Sequence, residues 1–110
     1  MKKVDVKSIY EKPESYTEKT VCVSGWVKSA RGGKSFGFID LNDGSCFKGI
    51  QIVFDLDNIK NFDEVSKLNT GSSIECVGQL VLTPEARQPF EIQASEVKII
   101  CATDSEYPLQ

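Results

Sequence analysis

Hydrophobic and polar residues alternate along three consecutive runs in the first half of the chain. Because successive side chains of a β-strand point to opposite faces of a sheet, each run predicts a strand. The three predicted strands are 20–30, 35–41 and 48–54. The segments between them, 31–34 and 42–45, contain glycine, asparagine and aspartate residues, which are typical of hairpin turns.

The alternation divides the second and third strands into two faces. One face is apolar and is predicted to point into the core; its residues are Ile39, Leu41, Ile50, Ile52 and Phe54. The other face carries Phe36, Phe38, Asp40 and Gln51 and is predicted to meet solvent. An exposed aromatic ring beside an amide, with Arg31 nearby, offers an unpaired base a stacking partner and a group that bonds its edge.

The period of the pattern changes after the third strand. Apolar residues recur at every third position, which predicts a short amphipathic helix containing Ile59, Phe62, Val65 and Leu68. Asp57 or Asn58 is expected to cap its start. Alternation returns in 72–82 and 89–100, which predicts strands four and five on either side of a loop at 83–88. The residues expected to face inward are Ile74, Cys76, Leu80, Leu82, Phe90, Ile92 and Ala94.

Three strands, a helix and two further strands, joined by short connections, are typical of an OB-fold. We therefore predict a mainly all-β chain that forms a five-stranded Greek-key barrel with a short helix between strands three and four. Residues 20–101 would form this domain, residues 1–19 an N-terminal arm or short helix, and residues 102–110 the start of a linker. In OB-folds, oligonucleotides bind the face of strands two and three and the loops that correspond here to 31–34 and 83–88.

The composition is that of an ordinary globular domain. The 110 residues are 40% hydrophobic and 26% charged, which permits one domain with a modest core. The net charge is −3, whereas proteins that coat nucleic acid without sequence preference are usually basic. The charge is unevenly spread, because residues 20–53 carry four basic and two acidic side chains, and residues 54–75 carry two basic and five acidic ones. One end of the domain can therefore attract phosphate groups.

Residues that commonly bind metals or carry catalysis are scarce. Histidine is absent and the four cysteines form no CxxC pair, so the sequence predicts neither a zinc site nor a catalytic group. Cys22 and Cys76 fall within strands and are expected to be buried free thiols. The sequence has no apolar N-terminal segment and no run long enough to cross a bilayer. We expect a reduced, cytoplasmic protein that does not associate with membranes.

Four residues are candidates for contact with bases: Arg31, Phe38, Gln51 and Glu91. The pattern alone leaves an ordinary alternative for each. Phe38 could lie in the core or at the barrel mouth, and Gln51 could belong to a solvated strand face. Arg31 could be a solvated turn residue and Glu91 a surface charge. The candidates for contact with phosphates are Lys28, Lys34, Lys48 and Arg87.

Specific motifs follow one another along residues 20–100. They are GWV, an arginine, a phenylalanine seven residues later, NDGSCF, IQ before an apolar pair, and FEIQAS. In this combination they closely resemble the N-terminal anticodon-binding domain of asparaginyl-tRNA synthetases. Residues 104–110 resemble the linker that leads into the catalytic domain of these enzymes.

The resemblance implies a role for each candidate. Phe38 matches the aromatic residue on which the central anticodon uracil stacks in the related aspartyl enzymes, and Gln51 matches a glutamine that hydrogen-bonds anticodon bases. Arg31 matches an arginine of the first hairpin that contacts the anticodon. Glu91 matches the glutamate that reads the third anticodon base. That base is cytosine in the aspartyl branch and uracil in the asparagine anticodon, so the contact made by Glu91 stays open.

By the same resemblance, the parent enzyme is a homodimeric ligase that attaches asparagine to its tRNA with ATP and magnesium, for protein synthesis. The class II catalytic domain is not within these 110 residues. We therefore expect a monomeric domain that is inactive alone, needs no cofactor and binds the anticodon loop of asparagine tRNA. Two alternatives from other classes stay open: a general single-stranded nucleic-acid-binding OB module, and a protein-interaction module that uses the predicted helix and the N-terminal arm.

Overall fold

Five β-strands close into a barrel in the computed structural model, which describes residues 3–83 and 89–101. The strands are β1 (Thr20–Gly32), β2 (Phe36–Asn42), β3 (Ile50–Asp55), β4 (Ser73–Leu82) and β5 (Phe90–Cys101). The helices are α1 (Val6–Glu11), a 3₁₀ turn (Pro13–Ser15) and α2 (Phe62–Ser66). Around the barrel the strands follow the order β1-β2-β3-β5-β4, and β3 and β5 form the parallel pair. The predicted OB-fold, with a short helix between the third and fourth strands, is confirmed.

Alternate strand residues fill the barrel interior. The apolar face predicted for the second and third strands is buried throughout, and the inward sets of β4 and β5 are buried with one exception. Leu82 is 47% exposed, because it is the last residue of β4 and pairs with Phe90 where the barrel wall ends. Cys22 and Cys76 are buried free thiols, as predicted.

The first strand is longer than the sequence predicts. β1 pairs with β2 as far as Gly32 opposite Gly37, so Arg31 lies in a strand and not in the predicted turn. The register shifts between Val27 and Ser29, which makes Lys28 the extra residue of a β-bulge. This longer pairing brings the side chain of Arg31 onto the outer surface of the barrel wall.

Helix α2, between β3 and β4, is shorter than predicted and is capped differently. Ile59 is buried but precedes α2, in a turn where the Asp55 carboxylate accepts hydrogen bonds of 2.8 and 2.7 Å from the backbone and side-chain nitrogens of Asn58. Asn61 occupies the N-cap position, and its side chain donates to the carbonyl of Val97 and makes no capping bond, so the predicted cap at Asp57 or Asn58 is wrong. The carbonyl of Asp55 also accepts bonds of 3.3 and 3.2 Å from the backbone N–H groups of Asn58 and Ile59, so a separate turn closes here before α2 begins.

Helix α1 packs against the barrel core and is tied to the β2–β3 connection. Val6 and Ile9 are fully buried in the same core cluster as the strand residues. The backbone N–H of Val6 donates a hydrogen bond of 2.9 Å to the carboxylate of Asp43. The same carboxylate accepts bonds from the backbone and hydroxyl of Ser45, at 3.0 and 2.6 Å. Asp43 therefore fixes its own turn and the start of the helix together.

Candidate nucleic-acid interface

The strand register places two rows of side chains side by side on the outside of the barrel. Directly paired residues point to the same side of a sheet. The first row crosses four strands and consists of Arg31, Phe38, Val53 and Gln93. The second row, two residues away along each strand, consists of Ser29, Asp40, Gln51 and Glu91. These two rows are named the strand face below.

Phe38 is the aromatic residue of the strand face, and two neighbours define its surroundings. The guanidinium carbon of Arg31 lies 5.8 Å from the centroid of the Phe38 ring, within the range of a cation–π contact. The ring of Phe36 stands at 90° to that of Phe38, with 5.6 Å between the centroids. Gly37 separates the two on the strand. A Cβ there would lie 2.5 Å from the Phe54 ring, so glycine lets the core close directly beneath the face.

Gln51 and Glu91 meet in the second row and join β3 to β5. The Nε2 atom of Gln51 lies 3.5 Å from Oε1 of Glu91, which is long for an N–H···O bond. Both side chains are half-buried. An amide offers a donor and an acceptor, whereas an ionised carboxylate only accepts. The pair therefore presents hydrogen-bonding groups of both kinds beside the Phe38 ring.

Two of the predicted phosphate-binding lysines lie at opposite ends of the strand face. Lys34 is exposed in the turn between β1 and β2. Lys48 precedes β3, and its Nζ atom lies 5.4 Å from the centroid of the Tyr10 ring. The Tyr10 hydroxyl donates a bond of 2.7 Å to the carbonyl of Gly49, and burial raises the pKa of Tyr10. Helix α1 therefore supports the end of the face where Lys48 lies.

The other two predicted phosphate ligands are placed differently. Lys28 is exposed at the bulge of β1, outside the two paired rows, and its carbonyl accepts a bond of 3.3 Å from the Thr70 hydroxyl. Arg87 lies outside the described residues. The structure thus brings the four predicted base-contacting residues together on one face and sets Lys34 and Lys48 at its ends.

The sequence analysis did not single out several members of this surface. Val53 shares the parity of Gln51, and Gln93 shares that of Glu91, so the alternation places both on the outer face although neither was a candidate for base contact. Tyr10 could not be found in this way. Its bond to Gly49 joins residues 39 positions apart and depends on how α1 docks.

The buried thiols are poor nucleophiles. Burial is the main cause that raises the pKa of Cys76 to about 12, and the nearby Cys22 contributes to it. Burial is also the main cause that raises the pKa of Cys22, and Glu75 contributes to it. The Cys22 sulfur lies 3.7 Å from Oε1 of Glu75.

Within residues 3–83 and 89–101, no three Cys, Asp or Glu side chains group closely enough to hold a metal ion. In the same part of the chain, no helix has the length and apolarity needed to cross a membrane.

The chain is similar to one part of several much longer ligases. The chain is 51% identical to the asparagine–tRNA ligase of Clostridium tetani, over 100% of this chain and 24% of the ligase. It is 50% identical to that of Acetivibrio thermocellus, with the same two shares. The chain therefore spans about a quarter of the length of the curated relatives that it matches.

Solved structures share the fold at low sequence identity. The asparaginyl-tRNA synthetase of Pyrococcus horikoshii, complexed with asparaginyl-adenylate, has a TM-score of 0.83 at 24% identity, over 100% of this chain and 24% of that one. An OBody bound to hen egg-white lysozyme has a TM-score of 0.70 at 17% identity, over 81% of this chain and 88% of that one. The family model described as the OB-fold nucleic acid binding domain matches residues 21–100. Since this match covers most of the sequence, the chain belongs to the tRNA anticodon family of OB-fold nucleic acid binding domains.

Proposed function

We propose that this chain recognises the anticodon loop of asparagine tRNA, as the anticodon-binding domain of an asparagine–tRNA ligase. The observation that carries the proposal is the strand face, where Phe38 is flanked by Arg31 and by the Gln51–Glu91 pair. Sequence-specific proteins usually recognise RNA as unpaired bases that stack on aromatic side chains while their edges are hydrogen-bonded. The names of the relatives, which are about 50% identical across this chain, support the same assignment.

In the proposed complex the anticodon bases turn outward over the strand face. The central uracil stacks on Phe38, and Arg31, Gln51 and Glu91 bond the base edges. Stacking of one base on an aromatic side chain contributes about 1–3 kcal/mol. Gln51 can donate to a uracil carbonyl and accept from its N3–H, because an amide carries both kinds of group.

Phosphates of the loop are assigned to the lysines at the ends of the strand face. Lys34 and Lys48 are both exposed. An RNA chain that crosses the strand face from end to end would pass near each of them. Each phosphate that a lysine neutralises releases a counterion, so binding weakens as salt rises. Lys28 and Arg87 remain candidates for phosphates that flank the anticodon.

The ligase reaction itself is assigned to regions of the longer relatives that this chain does not match. Asparagine, ATP and magnesium would act there, and this domain would supply selection of the tRNA. We expect the isolated chain to be monomeric and to bind tRNA weakly, because contacts with the acceptor stem would come from the catalytic domain. Sedimentation of the isolated chain tests the first expectation, and a stable dimer would contradict it.

A competition experiment tests the proposed function. An asparagine anticodon stem-loop and an unrelated single strand of equal length would compete for the labelled chain. An anticodon-reading domain prefers the stem-loop, because edge contacts add to stacking and phosphate contacts. Equal competition by the two RNAs would favour the alternative, a general single-stranded nucleic-acid-binding module.

A further inference from the structure

An exposed phenylalanine lies one row beyond the strand face. Phe36 points to the same side of β2 as Phe38 and pairs with Asp55 of β3. Its side chain is 51% exposed, whereas Phe38 is half-buried. Neither the core nor the base contacts proposed above use it. Its ring is in edge-to-face contact with the ring of Phe38, so it extends the aromatic surface of the strand face by one residue.

The two phenylalanine rings cannot serve one base together. They stand at 90° to each other with their centroids 5.6 Å apart, and a flat base stacks on only one of two perpendicular surfaces. We propose that Phe36 is a second stacking surface. It binds the unpaired base that neighbours, in the RNA chain, the base on Phe38, and it lies on the side of the β1–β2 turn. This inference rests on the proposed function, and it adds a contact with a nucleotide that flanks the central one.

The surroundings of Phe36 favour a nucleotide as the occupant. Gly33 of the β1–β2 turn donates a backbone bond of 2.8 Å to the carbonyl of Phe36, which places the exposed Lys34 directly beside this part of the strand. Arg31 belongs to the neighbouring row, opposite Phe38. An apolar ring between two cations suits a base with its phosphate, because the ring stacks and the charges attract the backbone.

The row of Phe36 offers no strong means of reading a base edge. Its paired neighbour, Asp55, accepts hydrogen bonds from Asn58 with both carboxylate oxygens, at 2.8 and 2.7 Å. Stacking on a phenylalanine tolerates any base, since every base has a π-face. Phe36 would therefore strengthen binding without selecting the identity of the flanking base.

Coupling between Phe36 and single RNA bases tests the proposal. Affinity for the asparagine anticodon stem-loop is measured for the unmodified chain and for Phe36→Ala, with the intact loop and with loops that carry one abasic nucleotide in turn. We expect Phe36→Ala to weaken binding of the intact loop about tenfold. The loss should vanish when the abasic nucleotide is the one adjacent to the central base. Phe47→Ala is the matched control, because Phe47 is 100% exposed and lies outside both rows.

Three outcomes would overturn the proposal. An equal loss with every abasic loop would show that Phe36 stacks on no particular base. Coupling confined to the central base would show that Phe36 only positions Phe38. Full affinity in Phe36→Leu, which keeps an apolar side chain without a ring, would show that stacking is not involved. Phe38→Ala, measured in parallel, separates this inference from the proposed function: if Phe38→Ala weakens binding and Phe36 fails these tests, only the second surface is lost.

Discussion

Arg31 lies directly opposite Phe38 across the β1–β2 pair, with its guanidinium carbon 5.8 Å from the centroid of the phenylalanine ring. A stacking surface and a cation are thus held together by paired strands and not by a loop. Groups on paired strands lose little freedom when a ligand binds, so less of the interaction energy is spent on ordering them. The site that we propose for anticodon bases is therefore largely formed before the RNA arrives.

Phe38→Ala should weaken binding of the anticodon stem-loop by about 1–3 kcal/mol, because it removes the stacking surface of the central base. Phe38→Tyr keeps an aromatic ring and should retain most of the affinity. Isothermal titration of both variants measures the effect, and the circular dichroism spectrum checks that the barrel is intact. Unchanged affinity in a folded Phe38→Ala protein would show that the base does not stack there.

Glu91→Gln should shift the preference for the third anticodon base from cytosine towards uracil. A carboxylate only accepts hydrogen bonds and suits the amino group of cytosine, whereas an amide can also donate to a uracil carbonyl. The ratio of the affinity for a stem-loop with uracil at the third anticodon position to that for one with cytosine there should rise about tenfold, which is the lower part of the range for one good base contact. Glu96→Gln, an exposed glutamate of the same strand, is the control. If the ratio does not change, Glu91 does not contact this base.

Asp43→Ala should lower the free energy of unfolding by about 1–3 kcal/mol. It removes the acceptor of the Val6 N–H, at 2.9 Å, and of two bonds from Ser45, and a donor left without a partner in a folded protein is costly. Urea denaturation measures the change. Asp57→Ala provides a comparison at an exposed aspartate and should have little effect. Equal stability of both variants would show that the contact between α1 and the β2–β3 connection contributes nothing.

The Cys76 thiol should make the free energy of unfolding fall as pH rises above 9. Burial and the nearby Cys22 raise its pKa from an ordinary 9.0 to about 12, so the unfolded chain loses this proton first and is favoured between those two values. One such group lowers stability by up to about 1.4 kcal/mol for each pH unit within that window. Urea unfolding at a series of pH values should give a shallower decline for Cys76→Val. An unchanged slope would show that the thiol ionises alike in both states.

Much of the barrel could be predicted because a strand that is buried on one side has apolar residues at every second position of its sequence. Leu41, Ile74 and Ile92 illustrate this, since each is apolar between two polar neighbours and each is fully buried. Leu82 continues the two-residue period of Ile74 but is exposed, because the period does not show where a strand leaves the barrel. A prediction from alternation is therefore weakest at strand ends.

The helix region shows a second limit of pattern. Ile59 fits the three-residue spacing and is buried, but the bonds between Asp55 and Asn58 hold that segment in a turn before α2 begins. Spacing records which side chains reach the core. It does not record the backbone and side-chain bonds that close a separate turn and so decide where the helix starts.

The candidate site could be predicted residue by residue but not as an arrangement. The outward positions of Phe38 and Gln51 follow from the alternation of polar and apolar residues, each within its own strand. The contact between Gln51 and Glu91 joins residues 40 positions apart and depends on the parallel pairing of β3 with β5. Likewise, Arg31 is brought opposite Phe38 only because β1 continues into the predicted turn, as far as Gly32. Both facts are properties of strand register, which a single sequence does not reveal.

The most direct test of the account is a titration of the isolated chain with an asparagine anticodon stem-loop, followed by two-dimensional amide NMR. We predict chemical-shift changes that cluster at Arg31, Phe38, Gln51 and Glu91, and that weaken when the central uracil of the loop is replaced. Changes spread over the barrel surface, or the same changes with every RNA sequence, would contradict the claim that the strand face reads the anticodon.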